Sequence, residues 1–117
     1  MRHAAEFALG ALTVVVVWAL LNLAAAIAGS DNSRRVIAGL ACIHTHEGAW
    51  NADTGNGYYG GLQMNTSFER AYGREFLRAF GHANHWPPAL QLAVGVRGYL
   101  ARGWNPWPVT ARLCGLH

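Results

Sequence analysis

The residues best suited to chemistry are Glu47 and the segment that follows it, Gly48-Ala49-Trp50-Asn51-Ala52-Asp53-Thr54-Gly55-Asn56-Gly57-Tyr58-Tyr59-Gly60-Gly61-Leu62-Gln63. One carboxyl stands just ahead of five glycines, with aromatic and amide side chains between them. Glycines allow tight turns and close approach of a ligand to the backbone. Tyrosine and amide groups match the faces and hydroxyls of a sugar ring. The arrangement points to an acid aimed into a glycan cleft, with Glu47 as the proton donor.

Most glycosidases use two carboxyl groups, so a partner for Glu47 has to be sought. Asp31 lies sixteen residues earlier, and an intervening helix would separate the two by about 24 Å. Glu69 reads as a helix cap, in a capping-box pattern Thr66-Ser67-Phe68-Glu69, and Glu75 belongs to a later helix. Only Asp53 could share the site, and an aspartate in that setting also forms turns. His44 and His46 raise the question of a metal. Residues two apart on a helix do not face the same side, and no third ligand stands at a usual spacing. Neither a metal nor a cofactor is expected.

An element must carry Glu47 into place. Asp31-Asn32-Ser33 is a cluster of helix-capping residues, which predicts a first helix over Arg34 to His46. Val36, Leu40, Ile43 and Glu47 recur at i, i+4, i+7 and i+11 and draw one stripe along it. Glu47 therefore ends the stripe that faces the core. The negative end of a helix dipole and partial loss of water both favour a protonated carboxyl, the form a general acid needs. Ala52 to Leu62 is too rich in glycine for helix and suits a hairpin or irregular loop. A short helix from Thr66 closes at Gly73, and another runs from Arg74 to Phe80 and ends at Gly81. A longer helix over Ala89 to Arg102 opens on Pro87-Pro88 and closes at Gly103. The fold class is α+β, mainly α, with a minor β element beside the first helix.

The chain has 117 residues, room for one small domain beyond its leading segment. Phe7 to Gly29 is apolar, without charge, and long enough to span a bilayer. Arg2 precedes it and Ala26-Ile27-Ala28 offers a small-x-small cleavage pattern. A signal peptide or membrane anchor over residues 1–29 and a domain over 30–117 are expected, the domain secreted or anchored in the cell envelope. Cys42 and Cys114 read as a disulfide in an oxidising compartment; two separate buried thiols are the alternative. The formal net charge is +3, all nine cationic residues being arginine. They are scattered, which excludes a nucleic-acid-binding stripe, and a monomer is expected.

Trp50, the run Thr54 to Gln63, the helix bearing Gln91 and the Gly103-Trp104…Trp107-Pro108 tail together resemble the transglycosylase-like domain of actinobacterial resuscitation-promoting factors. That family is a compact branch of the lysozyme superfamily acting on peptidoglycan, and the likeness covers about residues 34 to 117. It implies a lysozyme-like fold with peptidoglycan glycan strands as substrate. It also implies substrate contacts at Tyr59, Gln63 and Ser67. Trp50 either packs in the core or stacks on a sugar face, and Asp53, where the family usually has asparagine, either forms a turn or joins the substrate site. The family's catalytic glutamate directly follows its first cysteine, in a Cys-Glu-Ser-Gly-Gly-Asn-Trp pattern. Here the order is Cys42-Ile43-His44-Thr45-His46-Glu47-Gly48-Ala49-Trp50, which places the acid three residues before the tryptophan. This shorter spacing is similar to the Glu-Ser-x-aromatic-Asn pattern of soluble lytic transglycosylases. A single acid suffices for a lytic transglycosylase, and also for substrate-assisted hydrolysis by a muramidase-like glycosidase. In the lytic route it protonates the glycosidic oxygen, and the sugar's own C6 hydroxyl closes on the anomeric carbon to leave a 1,6-anhydro end. A glycan-binding or resuscitation-signalling module of the same fold, without turnover, is the second reading.

Overall fold

A computed structural model describes the backbone of residues 2–117 and the side chains of residues 13–19 and 31–117. The chain divides into two compact units, Met1–Arg34 and Arg35–His117. Five α-helices carry the architecture: α1 (Arg2–Glu47), α2 (Thr66–Tyr72), α3 (Arg74–Phe80), α4 (Pro88–Arg102) and α5 (Pro108–Leu113). A single 3-10 turn, Ala83–His85, joins α3 to α4.

In the first unit, the described side chains from Thr13 to Ala19 are all exposed. Most of the apolar run from Phe7 to Gly29 has side chains outside the described residues, and so does the Ala26-Ile27-Ala28 pattern. Among the described residues no helix is long and apolar enough to cross a membrane. Asp31, Asn32 and Ser33 do not begin a helix, because α1 runs through them to Glu47. Capping residues favour a start only where the preceding backbone leaves the helix, and no proline or turn forces that here.

The second unit is built on the stripe read from the sequence. Val36, Leu40 and Ile43 are buried, and they pack with Leu62, Met64, Phe68, Val94 and Trp107 into one core. Helix α4 opens with Pro88 in its first turn, and the N–H of Gly103 closes it onto the Tyr99 carbonyl. Helix α2 starts one residue earlier than a Thr66 cap implies. Its N-cap is Asn65, whose side chain accepts from the Phe68 N–H at 2.9 Å. Glu69 is thereby released from capping. It is fully buried, accepting from Ala83 N–H and His82 Nδ1. Helix α5 is the element that sequence patterning missed. Pro108 at its first position was its only local signal.

The β element is minimal. Among the described residues it consists of two isolated antiparallel bridges, Asp53 with Tyr59 and Tyr59 with Met64. Tyr59 exchanges both backbone hydrogen bonds with Met64 at 2.9 Å, so the glycine-rich segment folds back on itself beside the end of α1. Cys42 and Cys114 form a disulfide that ties α1 to the residue closing α5.

Candidate active site

Glu47 is the last residue of α1 and is half-buried. The stripe that buries Ile43 carries it to the edge of the core, where the chain leaves the helix. Thr110, buried on α5, donates its hydroxyl to Glu47 Oε1 at 2.8 Å. Its other carboxyl oxygen has no protein partner among the described residues.

The glycine-rich segment is pinned at Gly60 and Gly61. The Gly61 N–H donates to Gln91 Oε1 at 2.8 Å, and the Gly61 carbonyl accepts from His44 Nδ1 at 3.1 Å. That bond puts a proton on Nδ1 of His44, whose ring also stacks on Trp50 with centroids 3.7 Å apart. A Cβ on Gly61 would sit 2.4 Å from Trp50 and 2.5 Å from His44. On Gly60, where φ is +76°, it would sit 2.4 Å from Gln91 Oε1. Only glycine allows this approach. Gln91 is fully buried and completes its bonding by donating to the carbonyls of Trp50 and Trp86. It joins the residues flanking the site to α4.

The site residues expected from sequence are placed as follows. Gln63 follows the pinned glycines with φ +50°, in the left-handed region, a conformation costing roughly 1–2 kcal/mol outside glycine. Its backbone N–H and side-chain Nε2 both donate to the Gly60 carbonyl. A Cβ added to Gly48 would lie 3.5 Å from that Nε2, so Gln63 packs against the residue that follows Glu47. Tyr59 is half-buried, with one ring face stacked on His82 at 3.9 Å. Trp50 is partly buried against the core, one face covered by His44. Asp53 is exposed and accepts from the Gly55 N–H at 3.2 Å, the geometry of an Asx turn. Ser67 is exposed on α2, while its neighbours Asn65 and Phe68 line the cleft described next.

That cleft runs between the glycine-rich segment and the α4–α5 connection. Tyr58, Gln63 and Asn65 stand on one side, and Arg102, Asn105 and Trp107 on the other. Trp107 is the N-cap of α5, three residues before Thr110, and its indole N–H donates to the Leu62 carbonyl at 2.8 Å. The segment that leads from Trp107 at the cleft to Thr110 also carries the hydroxyl bonded to Glu47, which itself is not among the residues lining the cleft. The cleft's volume is about 160 Å³, below the roughly 300–1,000 Å³ of a pocket that engulfs a small ligand.

Sequence reasoning missed Thr110, His44 and Gln91 as site-building residues. The two histidines play separate parts: His44 holds the loop, while His46 is exposed beside the disulfide. Its ligand atom and the sulfurs of Cys42 and Cys114 lie within 4.8 Å of one another. Both sulfurs are committed to the disulfide, and the thiolate is the form that binds metal.

Residues 39–110 match the family model described as the transglycosylase-like domain. Resuscitation-promoting factor RpfC of Mycobacterium tuberculosis is 31% identical over 106 residues, 91% of this chain and 71% of that protein. Resuscitation-promoting factor Rpf1 of Corynebacterium glutamicum is 36% identical over 70 residues, 60% of this chain and 35% of that protein. Resuscitation-promoting factor RpfA of M. tuberculosis is 41% identical over 66 residues, 56% of this chain and 16% of that protein. The match therefore spans about a third of the Corynebacterium relative and a smaller share of RpfA.

Proposed function

The chain belongs to the transglycosylase-like domain family, in its resuscitation-promoting-factor branch, and from that premise we propose that it cleaves the β-1,4 glycan strand of peptidoglycan with Glu47 as general acid. The observation that carries this reading is the setting of Glu47. It closes a core-facing helix and is held through one oxygen by Thr110 of α5, the helix whose N-cap Trp107 lines a cleft with amide and aromatic side chains, Gln63 among them. Asp53 is engaged in its own turn and exposed, so the route needs only one carboxyl. Glu47 protonates the bridging oxygen as the bond to the anomeric carbon breaks. The C6 hydroxyl of the same sugar then attacks that carbon and loses its proton to the carboxylate, which leaves Glu47 protonated and the product as a 1,6-anhydro end. The reading also places the domain outside the cytoplasm, the setting its disulfide favours.

The test is digestion of purified cell wall followed by mass spectrometry of the released fragments. Glu47→Gln should abolish release while the domain stays folded. Anhydro products, one water lighter than hydrolysis products, identify the lytic route. Full activity in Glu47→Gln would remove the assignment. Wall binding without release by the native chain would favour the signalling or binding module.

A further inference from the structure

The cleft between the glycine-rich segment and the α4–α5 connection is lined by one cation and by no carboxyl. Arg102 lies at its rim, in the last turn of α4, and its guanidinium has no hydrogen-bond or ion-pair partner among the described residues. The other arginine of α4 differs: Arg97 is engaged by Glu75 and the Tyr72 carbonyl. Donors accompany Arg102 in the cleft. Asn65 uses its Oδ1 as the α2 cap, which leaves its NH2 group to donate outward. The side-chain amide of Asn105 and the Tyr58 hydroxyl have no protein partner among the described residues, and both residues are exposed. A helix C-terminus alone accounts for a cation at Arg102. It does not account for unpaired donors from three separate segments lining the same acid-free cleft.

We infer that Arg102, with Asn65 and Asn105, forms a subsite for a carboxylate borne by the glycan substrate. This rests on the reading of the site as a peptidoglycan cleft and adds what the cleft selects. A planar guanidinium recognises a carboxylate by two parallel charge-assisted hydrogen bonds, and amide donors complete its shell. Peptidoglycan offers that group from two sources: the lactyl carboxylate of a muramic acid whose peptide has been removed, and the free carboxylates of an attached stem peptide. Neutral N-acetylglucosamine oligomers have neither. The subsite therefore distinguishes wall glycan from chitin-like glycan and acts in binding; the proton transfer stays with Glu47.

The experiment is titration calorimetry of the full chain with four tetrasaccharides. These are N-acetylglucosamine tetramer, peptide-free alternating tetramer with free lactyl carboxylates, the same tetramer with its lactyl groups as methylamides, and the peptide-bearing tetramer. The inactive Glu47→Gln chain is the common background, so that no ligand is consumed. The free-carboxylate tetramer should bind about tenfold more tightly than its methylamide, by an amount that shrinks as salt is added. Arg102→Gln should erase that ratio and leave the neutral tetramer's affinity unchanged, and Arg102→Lys should restore part of it. A stronger response to Arg102→Gln with the peptide-bearing tetramer assigns the stem peptide as the source. A stronger response with the peptide-free one assigns the lactyl group. An unchanged carboxylate-to-methylamide ratio in Arg102→Gln, together with an unchanged affinity for the peptide-bearing tetramer, overturns the subsite. Failure of every tetramer to bind overturns the peptidoglycan-cleft reading itself, so the two failures are told apart.

Discussion

Thr110 donates its hydroxyl to Glu47 Oε1 across 63 residues of sequence, and this bond joins the end of α1 to α5. Thr110 is buried, whereas Glu47 is only half-buried. The donor is therefore fixed by packing and the acid takes its direction from it. The disulfide from Cys42 to Cys114 ties the same two regions together, so the relative position of donor and acid has a covalent brace. The geometry makes Thr110 a positioning residue for the proposed general acid.

Thr110→Val keeps the side chain's shape and removes the donor. Loss of one hydrogen bond of about 1 kcal/mol should lower turnover of cell wall roughly five- to tenfold and leave wall affinity nearly unchanged. Thr110→Ser retains the hydroxyl and should restore most of the rate. Separate measurement of fragment release and wall binding decides the point. Equal losses in both would mean that the substitution disturbs the cleft as a whole.

Gln91 bonds to three backbone groups that belong to Gly61, Trp50 and Trp86. Gln91→Leu fills the same space and strips all three of their partner. Buried backbone groups left unpaired cost about 1–3 kcal/mol each before relaxation. The expected loss is about 3–5 kcal/mol in urea unfolding, enough to threaten a domain of this size. Gln91→Glu keeps the acceptor for Gly61 but loses both donors, and should be no milder.

Local pattern was enough to place Val36, Leu40, Ile43 and Glu47 on one stripe, and to end helices at Gly73, Gly81 and Gly103. These signals lie within a few residues of the feature they specify. Thr110 and Gln91 carry no such signal, because their partners lie 63 residues away for Thr110 and up to 41 for Gln91. Glu69 was misleading for a related reason. Its spacing from Thr66 imitates a capping box, yet Asn65 caps the helix and Glu69 serves a buried contact with Ala83 and His82. Asn65 and Thr66 are both good caps, and only the tertiary demand for Glu69 separates them.

Glu75 gives a pH-dependent prediction. Its hydrogen bond from Arg97 holds the carboxyl below the usual carboxylate range. A lowered folded-state pKa stabilises the fold above the unfolded-state value and loses that contribution as pH falls through the folded-state value. Glu75→Gln should therefore lower the urea midpoint slightly at pH 7 and leave it unchanged at about pH 2, where the native carboxyl is also protonated. Both groups of the pair are about half exposed, so the neutral-pH difference should be small and should fade in high salt. A midpoint difference that persists at low pH would mean that glutamine disturbs packing against Phe76, over which Arg97 lies.

The disulfide should set how far the site survives heating. Cys42 and Cys114 stand 72 residues apart, and closing a loop of that length removes unfolded-state entropy worth about 4 kcal/mol in the chain-entropy model. For a unit of this size that corresponds to a fall in Tm of more than about 10 °C when the bond is cut. The Cys42→Ser, Cys114→Ser double variant should show that fall without reductant, and reductant should bring the native chain to the same Tm. Because the bond also braces α5 against α1, the double variant should lose wall-cleaving activity below its own Tm, as Thr110 loses its fixed approach to Glu47. Unchanged activity in the folded double variant would show that core packing alone holds the donor, with Trp107 bonded to Leu62 as its anchor.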